Sequence, residues 1–304
     1  MKKIKKVIVF GSINMDLVVS VDEFPKPGET VLGKQHHWFP GGKGANQAVA
    51  IRRLGGDVCM IGKIGSDNLG EAAIVNLQRE GINIQKVRRV DSLTGLAVIN
   101  VNSQGENDIV VSPGANLVWD ETDDELRRLL TGYSIVVLQL EIPIYVIERI
   151  LKIAKEVNVF TVLNAAPVDT GIIPSLHNVD LLIVNEIELS VLSGVAITCS
   201  AMEDALQKLS VSCKNIIVTL GKDGCALWDH RIYRIPAYHV KAVDTTAAGD
   251  AFVGAVVSAL SEGIDLMEAS RWASAVGALT VTKLGAQASI PYRNDVLDFI
   301  KMNA

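Results

Sequence analysis

Several things are missing from this chain of 304 residues, and each absence removes a class of function. No apolar run approaches the roughly 18 residues a membrane-spanning helix needs. The basic start "MKKIKK" leads into an apolar run of only Val7 to Phe10 before Asn14 and Asp16 intervene, too short for a signal-peptide core. Cysteine is sparse and unpaired in pattern. Cys59, Cys199, Cys213 and Cys225 form no C-x-x-C, which points to reduced structural thiols and a cytoplasmic protein. No excess of positive charge exists: 29 Lys and Arg face 34 Asp and Glu, a net charge of −5, which points away from a nucleic-acid binder. Aromatic residues are only 5%, too few for an extended surface that stacks bases. The five histidines, at 36, 37, 177, 230 and 239, have no metal-ligand spacing, and no serine or cysteine sits in a nucleophile motif. Two phosphate-binding signatures are also absent, G-x-x-x-x-G-K-[ST] and a G-x-G-x-x-G after a strand.

What remains is an ordinary globular composition, 49% apolar and 21% charged, with no internal repeat and enough length for a large core. Apolar runs such as "KKVIVFGSI", "SIVVLQLE", "FTVLNAAP", "DLLIVNE" and "NIIVTLG" alternate with amphipathic stretches such as "KGANQAVAIRRLG", "DNLGEAAIVNLQREG" and "PIYVIERILKIAKEV". That alternation predicts an α/β fold of three layers, a mostly parallel sheet between two helical layers. "VCMIGKIG" reads as one strand, "EIELSVLSG" as a short helix, and 248–262, 265–283 and 294–301 as closing helices. Two segments, about 14–41 and 93–112, are rich in strand formers and lack helices; "SQGE" gives the second a hairpin turn. They predict one small sheet built from two insertions in a single domain spanning 1–304.

The chemistry-bearing stretches lie at the ends of these elements. "VDTTAAGDAF", 243–252, places three tiny residues, Ala247, Ala248 and Gly249, where a helix begins. Bare amides at a helix N-terminus attract an anion. Asp250 beside them repels a resting phosphate, yet can take a proton from a hydroxyl attacking one. The two features conflict for anion binding and cooperate for phosphoryl transfer. "PGGKGANQA", 40–48, combines close-approach glycines with Lys43 and Asn46, or is a glycine turn with a solvated lysine. Asn14 and Asp16 follow the first strand, where ligands sit in such sheets, and suit sugar hydroxyls. Asn185 and Glu188 can organise Mg²⁺ or simply cap a helix. "TLGKDG", 219–224, is a strand end with a glycine turn that suits nucleotide backbone contacts.

"GSINMD", "PGGKGANQA", "VNEIE", "TLGKDG", "VDTTAAGDAF" and "KLGAQAS" occur in the order and spacing of the ribokinase (PfkB carbohydrate kinase) family, from Val7 to about Pro291. The resemblance implies ATP-dependent phosphorylation of a sugar's primary hydroxyl, with D-ribose at its 5-hydroxyl as first choice and 2-deoxyribose or a nucleoside as alternatives. Asp250 matches the family's base, and Ala247, Ala248 and Gly249 its anion hole. Asn14, Asp16, Gly42, Lys43, Asn46 and Glu141 match sugar-binding positions. Asn185 and Glu188 match the pair that organises Mg²⁺ and phosphate. Thr219, Leu220, Gly221, Gly224 and Gly249 match nucleotide contacts, with Ser274 where an Asn or His often touches adenine. An activating K⁺ is implied at Asp244, Thr246, Thr280, Lys283, Gly285 and Ser289. The small sheet is implied to be a lid over the sugar and the contact of a homodimer. A sugar sensor without catalysis would lack the base or the anion hole, and both are present.

Overall fold

The computed structural model describes residues 4–197 and 201–303; Cys199 falls outside them. Strand β1 (Lys6–Phe10) is buried from Val7 onward. Its alternate residues go to two separate cores: Val7 and Val9 join one cluster, and Phe10 and Ile8 the other. A strand buried on both faces needs helices on both faces, and the chain supplies them.

The main sheet has the order β14-β13-β12-β11-β10-β9-β1-β4. Strands β4 (Asp57–Ile61), β9 (Ile135–Gln139), β10 (Phe160–Asn164), β11 (Leu181–Asn185) and β12 (Asn215–Thr219) run parallel with β1. The hairpin β13 (Cys225–Trp228) and β14 (Ile232–Ile235) closes one edge antiparallel. On one face lie α1 (Lys43–Arg53), α2 (Asn68–Arg79), α7 (Ala248–Ser261), α8 (Leu266–Thr280) and α10 (Arg293–Met302). On the other lie α3 (Asp123–Leu130), α4 (Ile144–Glu156), α5 (Glu186–Ser193) and α6 (Met202–Ser210). The expected α/β architecture is therefore present.

The two strand-rich segments assemble one four-stranded sheet, β3-β2-β7-β8, from β2 (Asn14–Ser20), β3 (Gln35–Gly41), β7 (Gly95–Val101) and β8 (Asn107–Ser112). The strand expected from Thr30 begins only at Gln35, after a turn-rich approach. "VCMIGKIG" is two strands rather than one. After β4, Gly62 lies against Gly11, where a Cβ would come within 2.8 Å of Gly11 O, and the chain turns off into β5 (Lys63–Ile64), which pairs with β6 (Arg88–Arg89). Helix α6 was not anticipated, although its buried Met202, Ala205, Leu206 and Leu209 keep helical spacing. The helix expected through 283 ends at Thr280, where α8 runs into a β-branched turn.

Helices α2, α3, α5 and α8 are capped by side chains of Asp67, Thr122, Asn185 and Asp265. Helices α1 and α7 lack such a cap: they start at Gly42 and Ala247, both at positive φ, and in α1 the N–H groups of Lys43 and Gly44 turn instead to the distant side chains of Glu141 and Ser12. These two starts meet above the carboxyl ends of the parallel strands. Among the described residues no helix is long and apolar enough to cross a membrane.

Candidate active site

Asp250 sits in the first turn of α7, 6% exposed, and α1 comes to meet it. Its Oδ2 accepts from Asn46 Nδ2 at 2.9 Å and its Oδ1 from Gln47 Nε2 at 3.0 Å. The acid therefore faces the cleft in a fixed plane. Lys43 is the nearby counter-charge. Asp250, then Glu141 and Glu188, raise its ammonium above the usual lysine range against the opposing effect of burial. That cation offsets the repulsion between Asp250 and an anion at the same helix start.

At that start Ala248 N–H closes a turn onto Thr245 O at 3.2 Å, so its amide is already engaged. Among the described residues no such backbone bond holds the N–H of Ala247 or Gly249. A Cβ on Gly249 would meet nothing within 4 Å, so open space lies directly in front of it. Of the three small residues read as an anion hole, the two on either side of Ala248 keep free donors. Ala247 adopts φ 59° and ψ 7°, which costs an L-residue about 1–2 kcal/mol. Ala247→Gly should relieve this strain. After the larger entropy of an unfolded glycine, stability should rise by up to about 1 kcal/mol, or about 2 °C in Tm; a lower Tm would show the turn to be unstrained.

The expected sugar positions converge beside Asp250. Asn14, Asp16 and Asn46 are all buried. Burial foremost, then the charges of Glu141 and Asp250, pushes the Asp16 carboxyl up to about 7. The Asp16 carboxylate lies against Gly41, where a Cβ would come within 2.2 Å of Oδ2. Gly42 is required twice over: its φ is 87°, and a Cβ there would meet Asn14 N at 2.8 Å. Glu141 Oε2 accepts from Lys43 N at 3.0 Å and from the Ser12 hydroxyl. Asn46 Oδ1 is buried without a hydrogen-bond partner among the described residues, a polar atom left for a guest.

Two adjoining cavities extend from Asp250. One of about 200 Å³ is bordered by Lys43, Asn185, Glu188, Ala247, Gly249 and Asp250. Asn185 and Glu188 form a helix cap, Glu188 N donating to Asn185 Oδ1 and Asn185 N to Glu188 Oε2, both at 2.8 Å. The cap orients Glu188, whose carboxyl is raised chiefly by burial. The second, about 320 Å³, is bordered by Thr219, Gly221, Gly224, Phe252, Ser274 and Gly277. Leu220 is the exception among the expected nucleotide residues: its side chain belongs to the core of the opposite face, and its N–H bonds Gly224 O at 2.8 Å. It follows directly after β12 and packs away from the cavity that Thr219 borders.

The expected cation residues come from two segments that lie side by side. Asp244 links them: Oδ1 accepts from Thr246 N and Oδ2 from Gly285 N, both at 2.8 Å. Thr280 and Ser289 are buried and their hydroxyls donate to Val276 O and Ala286 O, which leaves hydroxyl lone pairs and main-chain oxygens as the atoms that could face an ion. Lys283 N donates to Thr280 O at 3.3 Å. Among the described residues no group of three or more His, Cys, Asp or Glu side chains could hold a metal.

Several supporting residues escaped the sequence reading. Gln47 and Asn164 bond at 3.1 Å, and Gln139 Nε2 donates to Gln47 Oε1 at 2.6 Å. Asn116 Nδ2 donates to Asn14 Oδ1 at 2.7 Å. Each was hidden within a strand or helix pattern; only a polar residue at a core position hinted at a role.

The family model "pfkB family carbohydrate kinase" matches residues 4–293. The ribokinase of Staphylococcus aureus (strain COL) is 38% identical over 298 residues, 96% of this chain and 98% of its own. The deoxyribokinase of Salmonella typhi is 34% identical, covering 98% of this chain and 99% of its own. The structure of Arabidopsis thaliana ribokinase complexed with ribose and ATP superimposes with a TM-score of 0.90 at 33% identity, over 98% of this chain and 99% of that one. A match of this extent, on a fold and a cleft built as described, means that the chain belongs to the pfkB family of carbohydrate kinases.

Proposed function

We propose that this protein transfers the γ-phosphoryl group of ATP to the 5-hydroxyl of D-ribose. The observation that carries the reading is the position of Asp250. Its carboxylate is held between the polar pocket of Asn14, Asp16 and Glu141 and the cavity in front of the Gly249 amide. A hydroxyl bound in the pocket loses its proton to Asp250 as it attacks. The Ala247 and Gly249 amides, at the positive end of α7, stabilise the charge of the migrating group, and Lys43 adds a cation. Thr219, Gly221, Gly224 and Ser274 border the nucleotide's place.

Mg²⁺ supplies charge neutralisation on the phosphates when it is bound. Of the two carboxylates that border the smaller cavity, Asp250 is held by Asn46 and Gln47, so Glu188, set in position by Asn185, would hold the ion, directly or through water. Asp244 and the carbonyls around Thr246, Thr280, Lys283, Gly285 and Ser289 suit K⁺. Because Asp244 bonds Thr246 N, this site adjoins the free amides. A single domain with the small sheet as lid fits the same scheme. That sheet exposes Trp38, Ile109, Val110 and Val111 at 45–63%, which suits a homodimer formed through it. Cys59, Cys213 and Cys225 are buried free thiols, in keeping with a reducing cytoplasm.

Phosphorylation of 2-deoxyribose is the second reading, favoured by the Salmonella typhi relative. Asp16 argues for ribose, because a carboxylate there can accept from vicinal hydroxyls. A coupled assay with ATP, Mg²⁺ and K⁺ decides between them. The highest kcat/KM should fall on ribose over 2-deoxyribose, fructose and adenosine, and replacing K⁺ by a bulky organic cation should lower the rate. A preference for 2-deoxyribose would install the second reading, and equal rates in both cations would remove the K⁺ site.

A further inference from the structure

We propose that Gln47 is a positioning residue for Asp250, and that Gln139 fixes Gln47 in that task. The proposal deepens the reading of Asp250 as the base and rests on it.

The two oxygens of Asp250 are held differently. Oδ2 is held by Asn46, which lies at the start of α1 and keeps a buried Oδ1 with no partner among the described residues. Asn46 therefore serves both Asp250, through Nδ2, and a bound sugar, through Oδ1. Oδ1 is held by Gln47, which is wholly buried and touches neither solvent nor the sugar pocket. An amide can present either its oxygen or its nitrogen to a neighbour, and a carboxylate accepts only the nitrogen. Gln139 makes the choice: its Nε2 donates to Gln47 Oε1 at 2.6 Å, so the Gln47 nitrogen must face Asp250 and Asn164. Asn164 agrees with this orientation, since its own Nδ2 donates to Ile183 O at 3.2 Å and its oxygen is turned to Gln47.

The result is a chain of amides crossing β11, β10, β9 and α1 that ends on the carboxylate. Gln139 is itself wholly buried and occupies space that Gly11 leaves: a Cβ at Gly11 would lie 2.0 Å from its Oε1. Burying polar groups in a core is costly unless they are paired, and Gln139 Oε1 remains unpaired. An all-apolar core would avoid that cost. What the amides supply is a fixed carboxylate plane. The terminal torsion of an aspartate is soft, and a second anchor on Oδ1 beside Asn46 on Oδ2 stops its rotation. A base displaced by about 1 Å costs about 10²-fold in rate.

The test uses Gln47→Leu combined with Gln139→Leu, in which both partners become apolar and no donor is orphaned between them, together with Gln139→Leu alone. Asp250→Asn is assayed beside them. The double variant should lose about 10–100-fold in kcat at saturating ribose and ATP, with the ribose KM within about twofold, because the sugar contacts are untouched. Gln139→Leu, which does not contact Asp250, should lose about 3–10-fold in kcat, again with KM kept; a residue serving packing alone would change Tm and leave saturated kcat intact. Wild-type kcat in either folded variant overturns the proposal. So does a KM that rises as kcat falls, or a loss that follows the unfolded fraction seen by circular dichroism. If Asp250→Asn is inactive while both leucine variants are normal, only the positioning role fails. If Asp250→Asn turns over normally, the base assignment fails and this proposal with it.

Discussion

Asp250→Asn should lower kcat by about 10²–10⁴-fold, the usual contribution of a positioned base, while calorimetry finds ribose and ATP still bound. The substitution keeps the shape of the side chain and removes its capacity to take a proton. It also places an NH₂ group against one of two amide donors, since Asn46 and Gln47 both point nitrogens at this residue. Part of the loss will therefore appear as lower Tm, and saturated kcat on the folded protein is the quantity to compare. Turnover within tenfold of the wild type would remove Asp250 from the role of base.

Asp16→Asn should act on both substrate choice and stability, in opposite directions. Hydrogen bonds to a charged acceptor contribute about 1.5–3 kcal/mol each. Losing two of them to vicinal hydroxyls should raise the ribose KM by about 10²–10⁴-fold, and 2-deoxyribose, which lacks one of those hydroxyls, should suffer less. The preference for ribose would then collapse; an unchanged ratio of kcat/KM values would show that Asp16 does not read the second hydroxyl. Stability should move the other way. Burial, Glu141 and Asp250 raise Asp16 from 3.8 to about 7. Between those values the native protein holds a proton that the unfolded chain has released. Stability from this group therefore falls as pH rises through that window, and the penalty is complete above about 7. An asparagine carries no such charge. The Tm of Asp16→Asn should exceed that of the wild type at pH 8, with the gap narrowing towards pH 5. A constant gap would mean that Asp16 is not the titrating group.

Both predictions concern residues readable from the chain, and the way they are held was not. The notable feature of "DTTAAGD" was small residues beside an acid, and that much survives in three dimensions. Which amides stay free was decided by a turn, Ala248 onto Thr245. "VNEIE" was compatible with a cap or with a cation's ligands; the fold makes it a cap whose glutamate borders the cavity. Leu220 sat in a nucleotide-like stretch, yet as the residue just after β12 it packs into the core of the opposite face. Gln139 drew no reading in "SIVVLQLE", because its partner Gln47 lies 92 residues away.

By itself the sequence determined the α/β architecture, the two insertions that make the small sheet, and the local motifs at helix starts and strand ends. These follow from periodicity, turn chemistry and the absence of side chains, all of which act over a few neighbouring residues. Only the tertiary structure decided which polar atoms meet. Asp250 is held by residues more than 200 positions earlier, and Asp244 joins a loop 41 positions later. Hydrogen bonds reach about 3 Å whatever the distance along the chain, so their partners are set by how the layers pack.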